Sequence, residues 1–332
     1  MSVRFSVNIP VYNTSKYIPK CLDSILNQTF TDFEIIIVND GSTDNSEQVC
    51  KSYTDPRIRY YYKDNEGPVL TRRYSIDRAE GEYCLFIDSD DFVEPDYLET
   101  VDRIIREENC DIVNCSFKMV YSDRYENAIM PWYEKKVFCG DTMKDFRKMF
   151  FTNNGLNSIC TKIFKSELIK SDKTDFRKFS DIRSGEDIIQ TFYPVFNCEK
   201  IVYCPECFYC YRQNEASITQ IARTDRYKDV FRVRGEIYDR LNRDGLFLDE
   251  YKTGFSNLVI KALTQCIKEI ARSDIDIRKK TEIYEDIAGS DFYEKMIENF
   301  DASSLDIKNR LVYKLFSGKK YKTLVALVSG LS

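Results

Sequence analysis

Histidine is absent from the 332-residue chain. Because histidine is the usual side chain for proton transfer near neutral pH, its absence excludes a Ser-His-Asp mechanism and zinc hydrolase sites built on imidazole. Any acid–base chemistry must come from Asp, Glu, Lys, Tyr or Cys. The sequence also lacks an internal repeat, a low-complexity linker and an apolar run close to the ~20 residues of a membrane-spanning helix.

Excess positive charge is lacking as well. The 49 Lys and Arg residues stand against 54 Asp and Glu, so the net charge of -5 offers no general attraction to nucleic acid. Residues 1–4 do not resemble the start of a signal peptide, and we expect the 12 cysteines to be reduced thiols of a cytoplasmic protein. The length suits one large domain or two ordinary ones.

Carboxylates follow two apolar runs. Residues 83–87 read as a buried strand and lead into the acidic run 88–91, which contains three aspartates. Residues 35–38 lead in the same way into the turn 39–44, which contains Asp40 and Asp44. Clustered carboxylates repel one another unless a hard cation such as Mg²⁺ or Mn²⁺ lies beside them. Since ligands bind at the carboxyl ends of strands in open α/β sheets, we expect the chemistry there.

Strand and helix patterns alternate over the first ninety residues. This alternation predicts βαβ units and a mainly parallel sheet. The predicted strands cover residues 5–11, 33–38, 58–62 and 83–87, and the predicted helices cover 18–26, 43–53 and 68–79. Further on, apolar and aromatic segments at 111–120 and 200–211 and a helix near 141–151 are expected to shape a second substrate pocket. From residue 217 onwards the pattern is helical, with a domain break expected near 216–225.

Four short motifs occur in one order along the chain. They are Ile9-Pro10-Val11-Tyr12-Asn13, the turn 38–44, Asp88-Ser89-Asp90 and Gly185-Glu186-Asp187. In order and spacing the chain resembles the family 2 glycosyltransferases of GT-A fold, of the inverting, bacterial polysaccharide type, over roughly residues 3–220. The resemblance implies an α/β, Rossmann-like GT-A fold with a mainly parallel sheet flanked by helices, followed by a helical C-terminal region. Residues 1–220 would form the catalytic domain, with 1–110 binding the nucleotide sugar and 111–220 on the acceptor side, and 221–332 would be helical.

Members of this family move a sugar from a nucleotide diphosphate to an acceptor hydroxyl with inversion. The resemblance implies a UDP-sugar donor, Mn²⁺ or Mg²⁺ as cofactor, and a cell-surface or capsular polysaccharide or lipid-linked glycan as acceptor. A divalent cation would stabilise the charge that develops on the diphosphate leaving group. By resemblance Asp90 is the metal ligand, Asp88 lies nearer the ribose or a metal-bound water, and Asp91 supports the pair. The alternative for these acids is a solvated helix cap.

The resemblance also assigns the base pocket. Asp40 would accept a hydrogen bond from the base, and Pro10, Val11 and Tyr12 would form one wall. Alternatively, Asp40 is a turn residue favoured by Asp-Gly chemistry.

Gly67 and Arg72 match a family loop and a following arginine that contact the nucleotide. The chain departs from the commonest pattern at Glu66, Pro68 and Arg73, which puts the contacts of this loop in question. Arg72 could instead be a solvated helix residue.

Asp187 matches the family's catalytic base, and Glu186 beside it would support it or contact the acceptor. The alternative is that both acids only open a helix over 188–196, where the helix dipole favours negative charge. Arg212, followed by the segment 217–218, matches a late family segment whose basic residue can approach the diphosphate.

Cysteines 204, 207 and 210 form a C-x2-C-x2-C run with Cys198 upstream. The spacing suggests zinc or an iron–sulfur cluster, but the run lies inside strand-like segments whose alternation points successive sulfurs to different faces. We therefore favour burial as small apolar side chains.

The C-terminal tail is basic and amphipathic. No acidic residue follows Asp306, and the basic residues are Lys308, Arg310, Lys314, Lys319, Lys320 and Lys322. The tail could contact an anionic membrane interface or pack as a helix with a solvated basic face.

Two alternative functions are less compatible with the sequence. A sugar-phosphate nucleotidyltransferase would need a glycine-rich, basic loop after the first strand, and residues 10–14 are not one. A catalytically inactive sugar-binding protein would have lost acids that this chain retains.

Overall fold

The computed structural model describes residues 3–128, 131–213 and 223–330. The strands in these residues form one sheet. They are β1 (Phe5–Val11), β2 (Phe33–Asp40), β3 (Ile58–Lys63), β4 (Tyr83–Phe86), β5 (Phe92–Val93), β6 (Ile112–Val120), β7 (Tyr125–Ala128), β8 (Lys136–Cys139), β9 (Lys162–Lys165) and β10 (Lys200–Arg212).

The strand order is β3-β2-β1-β4-β9-β6-β10-β5, with β7 beside β6 and β8 beside β10. Strands β3, β2, β1 and β4 are parallel to one another, and β6 is parallel to β10. Strand β9 is antiparallel to both of its neighbours, β4 and β6. Its first residue, Lys162, therefore lies beside the carboxyl end of β4 and pairs with Asn114 near the start of β6.

The helices are α1 (Ile18–Leu26), α2 (Ser46–Ser52), α3 (Gly67–Ile76), α4 (Tyr97–Glu108), α5 (Met143–Thr152), α6 (Ser166–Lys170), α7 (Glu186–Asn197), α8 (Arg226–Arg243), α9 (Asp249–Arg272), α10 (Ile277–Ala288), α11 (Asp291–Ile297), α12 (Ile307–Ser317) and α13 (Tyr321–Ser329). The predicted α/β sheet flanked by helices and followed by a helical C-terminal region is confirmed.

Buried strands explain the long apolar runs of the first half. All eight residues of β2 are buried, as expected for a central strand covered on both faces. The predicted apolar face of α1 is buried through Ile18, Cys21, Leu22 and Ile25. The predicted helix at 43–53 begins only at Ser46, because the Asp44 carboxylate accepts bonds from the Ser15 and Ser46 amides and holds the chain in a turn.

The chain divides into two compact units. One comprises Met1–Arg147, Asn153–Ile182 and Glu186–Glu215, and the other comprises Lys148–Thr152, Arg183–Gly185 and Ala216–Ser332. The expected break at 216–225 and the segment 217–218 lie largely or wholly outside the described residues, which omit 214–222.

The second unit is helical and has no strand among its described residues. Helix α9 buries the side chains that keep helical spacing, including Phe255, Leu263 and Ile270. In the tail, α12 and α13 pack on α9 and bury Val312, Phe316, Leu324 and Val328. None of the helices in the described residues is both long enough and apolar enough to cross a membrane.

All 12 cysteines lie in the described part of the chain as free thiols. Cys204 and Cys210 are buried, and Cys207 is half-buried beside an irregularity in the pairing of β10 with β6. The described residues contain no group of three or more Cys, Asp or Glu side chains that could hold a metal ion. This favours the packing interpretation of the C-x2-C-x2-C run.

Candidate active site

Asp40 ends β2 and anchors the loop that follows β3. Its carboxylate accepts hydrogen bonds from Lys63 Nζ at 2.5 Å and from the backbone amides of Glu66 at 3.0 Å and Gly67 at 2.9 Å. The parallel register places Asp40 directly opposite Lys63. Asp40 is buried, at 3% exposure. The contact with Lys63 was not anticipated from the sequence, because it depends on the register between two strands.

Two glycines allow this region to close. Gly41 has φ of +71°, and a Cβ there would lie 2.8 Å from the Asn65 backbone nitrogen. Gly67 has φ of +84°, and a Cβ there would lie 2.5 Å from the Ser180 carbonyl oxygen. Both positions require left-handed backbone and close approach, so a side chain would displace the 65–67 loop.

The predicted wall residues lie on the strand next to β2. Val11 at the end of β1 pairs with Asn39 and is buried, whereas Tyr12 is 47% exposed. The Asn13 side chain accepts a bond from the Thr43 amide at 2.8 Å, which ties the 9–13 segment to the turn after β2. The structure therefore brings Pro10, Val11, Tyr12 and Asp40 to one edge of the sheet.

Arg72 links two of the predicted carboxylates. Its guanidinium donates to Asp88 Oδ1 at 2.9 Å and to Asp187 Oδ1 at 3.4 Å. Asp88 follows β4, Asp187 lies in the first turn of α7, and Arg72 projects from α3. Arg72 is only 5% exposed, so it is not a solvated helix residue.

Burial and charge shift the pKa values in this cluster. Burial lowers the pKa of Arg72, but the Asp88 and Asp187 carboxylates outweigh it and raise that pKa overall. Burial raises the pKa of Asp187, which the positive charge of Arg72 partly offsets. Burial and then the neighbouring Asp187 raise the pKa of Glu186. Carboxylates with raised pKa values are suited to accept and release a proton near neutral pH.

Asp91 differs from Asp88 and Asp90 because it is buried. Tyr209 Oη donates to Asp91 Oδ2 at 2.5 Å, and the Arg212 amide donates to Oδ1 at 2.8 Å. Burial, followed by the charges of Asp90 and Asp88, raises the pKa of Asp91 well above its usual value. Tyr209 Oη also accepts a bond from the Asp88 amide at 3.2 Å. Asp91 and Tyr209 therefore hold the acidic loop in place.

Arg212, at the end of β10, lies beside the same loop. Its Nε donates to the Asp90 carbonyl oxygen at 2.9 Å, and its guanidinium lies 5.1 Å from the Tyr17 ring centre and 5.5 Å from that of Phe92. Within the described residues its buried Nη2 has no hydrogen-bond partner. A buried donor without a partner is costly, and an anionic ligand would satisfy it.

A segment that sequence reasoning missed contacts both carboxylates of the Arg72 cluster. The Ile159 amide donates to Asp187 Oδ2 at 3.3 Å, and Cys160 Sγ donates to Asp88 Oδ2 at 3.4 Å. Lys162 follows, with 0% exposure. Its neighbours Thr161 and Ile163 are also buried, so the sequence shows no alternation of buried and exposed residues that would have marked Lys162 as a site residue. Only the antiparallel insertion of β9 explains why the segment reaches this edge.

The predicted metal ligands are of the type that a hard cation prefers, but they are too few to bind one without further ligands. Asp88 and Asp90 offer carboxylate oxygens, the type that Mg²⁺ and Mn²⁺ prefer. No group of three ligands occurs in the described residues. Phosphate oxygens and water would have to complete the coordination shell, as is usual for Mg²⁺.

Comparisons with known proteins identify the chain's family. The model of "Glycosyl transferase family 2" matches residues 6–171, which are half of the chain. The chain belongs to this family. It is 33% identical over 227 residues to the glycosyltransferase GlyA of Streptococcus pneumoniae serotype 4, and the matched region covers 66% of this chain and 32% of GlyA. It is 31% identical over 217 residues to EpsH of Bacillus subtilis, and the matched region covers 65% of this chain and 62% of EpsH.

This chain therefore spans about a third of the length of GlyA and less than two thirds of the length of EpsH. The crystal structure of S. aureus TarS 1–349 matches with a TM-score of 0.70 and 21% identity, covering 98% of this chain and 90% of that one. This likeness, together with the sheet described above, confirms the predicted GT-A fold.

Proposed function

We propose that the protein is an inverting glycosyltransferase that moves a sugar from a UDP-sugar to an acceptor hydroxyl. The observation that carries the proposal is the Arg72 cluster, in which one buried guanidinium contacts both Asp88 and Asp187. A donor-side acid and a candidate base are thereby held in one place. TarS, a poly(ribitol-phosphate) β-N-acetylglucosaminyltransferase, has been crystallised with UDP and with UDP-GlcNAc, which supports a UDP-sugar donor here.

The nucleotide would bind at the edge formed by β1 and β2. Pro10, Val11 and Tyr12 would line the base, with Asp40 and Gly67 beside it. The Asp40 carboxylate already fixes the Glu66 and Gly67 amides, so it would shape the pocket as well as bind the base.

Asp90 and Asp88 would hold a Mn²⁺ or Mg²⁺ ion together with the donor diphosphate. The ion would neutralise charge that develops on the leaving diphosphate. Arg212 would bind the same diphosphate through its unpartnered Nη2.

Asp187 would accept the proton of the attacking acceptor hydroxyl. Its raised pKa favours this role, since a base works best when its pKa approaches the working pH. Glu186, beside it at the start of α7, would contact the acceptor or support the base.

The acceptor would be a cell-surface or capsular polysaccharide or a lipid-linked glycan. The six basic side chains of the tail are exposed, whereas half of its apolar ones are buried. An anionic membrane contact would therefore be electrostatic rather than inserted. Replacing Lys319, Lys320 and Lys322 by Gln should lower co-sedimentation with anionic vesicles at low salt; equal sedimentation would contradict it.

The experiment that tests the function is a screen of nucleotide sugars for release of free nucleotide, with and without Mn²⁺ and with and without glycan acceptors. Metal-dependent release of UDP from one donor is the expected result. Formation of a nucleotide sugar from a sugar phosphate would indicate the nucleotidyltransferase alternative. Binding of a sugar without any turnover would indicate the inactive sugar-binding alternative.

A further inference from the structure

Lys162 is a fully buried lysine beside the carboxyl end of β4. It is the first residue of β9, the antiparallel strand between β4 and β6. Leu85 of β4 pairs with Ile163, so Lys162 lies at the end of β4 that leads to Asp88. A buried ammonium is costly unless nearby groups compensate its charge.

Two groups compensate Lys162. Its Nζ donates to the Ser158 carbonyl oxygen at 2.7 Å, and the Asp187 carboxylate attracts the ammonium through space. Within the described residues Nζ forms no direct ion pair. Burial lowers the pKa of Lys162 from 10.5 to about 7, so its charge is weakly held near neutral pH.

The Lys162 to Ser158 bond closes a short turn. A backbone bond from the Lys162 amide to the Ile159 carbonyl oxygen, at 3.2 Å, lies inside it. This turn presents the Ile159 amide to Asp187 Oδ2 and the Cys160 thiol to Asp88 Oδ2. One lysine therefore fixes the turn that contacts Asp187 and also adds positive charge near that carboxylate.

We propose that Lys162 is a positioning residue for the transfer reaction: its ammonium favours the ionised form of Asp187, and its bond to Ser158 holds the Ile159 amide against that carboxylate. The proposal rests on the proposed function in that Asp187 is taken as the base. Arg72 has the stronger effect on Asp187, but its guanidinium is shared with Asp88, so Lys162 adds a second positive charge on this carboxylate.

The charged groups that face Asp187 come from four elements. Arg72 of α3 and Lys162 of β9 favour its ionised form, whereas Asp88 after β4 disfavours it; Glu186, adjacent in α7, has its own pKa raised by Asp187. The Cys160 thiol is the other titratable group that acts on Lys162. Arg72, the Ile159 amide and Lys162 all favour the ionised carboxylate, so removing the lysine charge should raise the pKa of Asp187 further.

The first test is the pH dependence of kcat for wild type, Lys162→Met and Lys162→Arg, with Lys165→Met as the matched control. Lys165 ends the same strand, and its side chain is 37% exposed. Lys162→Met should move the acid limb of the kcat profile to higher pH by about 1 unit, with little change in the donor KM. Lys162→Arg keeps the positive charge and should return the acid limb to its wild-type position. A uniform loss of kcat with an unmoved limb would show a purely structural role and overturn the proposal.

The second test needs no activity. In protein carrying ¹³C-labelled lysine, the Lys162 Cε signal, identified by its loss in Lys162→Met or Lys162→Arg, should titrate with a midpoint near 7. Asp187→Asn should lower that midpoint, because it removes the attracting carboxylate. An unchanged midpoint would overturn the coupling even if Lys162→Met fails to fold. Coupling in a protein that transfers no sugar would leave the Lys162–Asp187 pair standing and reject the proposed function instead.

Discussion

Asp40, at the end of β2, and Asp187, in the first turn of α7, have very different surroundings. Asp40 is opposite a lysine and accepts two backbone amides, so its charge is compensated at short distance. Asp187 shares one arginine with Asp88, accepts a single long amide bond, and has a raised pKa. A compensated carboxylate holds structure, whereas an under-compensated one is available for chemistry. Substitution of Asp40 should therefore lower stability more than activity, and substitution of Asp187 should lower activity more than stability.

The largest expected effect on activity comes from Asp90→Asn. The change is nearly isosteric and removes a proposed metal ligand from the loop between β4 and β5, so transfer should be abolished while the thermal transition stays near that of wild type. Nucleotide release should be assayed against Mn²⁺ concentration, and UDP affinity should weaken together with Mn²⁺ affinity. Near-normal metal-dependent turnover in folded protein would remove Asp90 from the metal site.

Asp187→Asn should lower kcat by roughly 10²-fold or more, the usual scale of general-base catalysis. Calorimetry with UDP and metal should show unchanged donor binding. The Asn side chain keeps the size of Asp187, which is 32% exposed and makes only a 3.4 Å contact with Arg72, so any loss of stability should be smaller than that of Asp40→Asn. Weakened donor binding with normal turnover at saturation would make Asp187 a binding residue.

Asp40→Asn should show the opposite balance. It leaves Lys63, whose side chain is 10% exposed, with only the exposed Glu66 carboxylate as an ion-pair partner, and it weakens the hold on the Glu66 and Gly67 amides. We expect a loss of roughly 2–4 kcal/mol in the free energy of unfolding, measured by urea denaturation. Residual kcat at saturating donor should stay well above that of Asp187→Asn. If the stability is unchanged, the Asp40 contacts do not hold the loop.

The same contrast explains what could be predicted from the sequence. The apolar runs of β1, β2 and β4 and the acids after them are local patterns, so the sheet edge and the positions of Asp40 and Asp88 follow from periodicity. The links between them are not local. Arg72 reaches Asp187 across 115 residues, and Lys162 reaches the site only because β9 inserts antiparallel between β4 and β6. Pairing partners and register of that kind depend on the tertiary fold, which short motifs do not encode.

The smallest expected effect is a change in how stability depends on pH. The pKa of Lys162 is about 7 in the folded protein and 10.5 when exposed, so between these values the unfolded chain binds more protons than the folded one. Stability from this residue should therefore rise with pH from about 7 upwards, by at most ~1.4 kcal/mol per pH unit, and be lost as pH falls towards 7. Lys162→Met should remove that slope.

The measurement is the difference in unfolding free energy between wild type and Lys162→Met at pH 7.0, 7.75 and 8.5, a range chosen to stay below the titration of most exposed lysines and tyrosines. The difference should shift in favour of wild type as pH rises. Lys165→Met should show no such trend, because its pair with Glu167 raises the pKa of Lys165 above 10.5, outside that range. Parallel pH curves for wild type and Lys162→Met would mean that Lys162 keeps its proton in the folded state. The buried ammonium would then be a permanent counter-charge for Asp187, which the acid limb of the activity profile and the Lys162 Cε midpoint in Asp187→Asn would still detect.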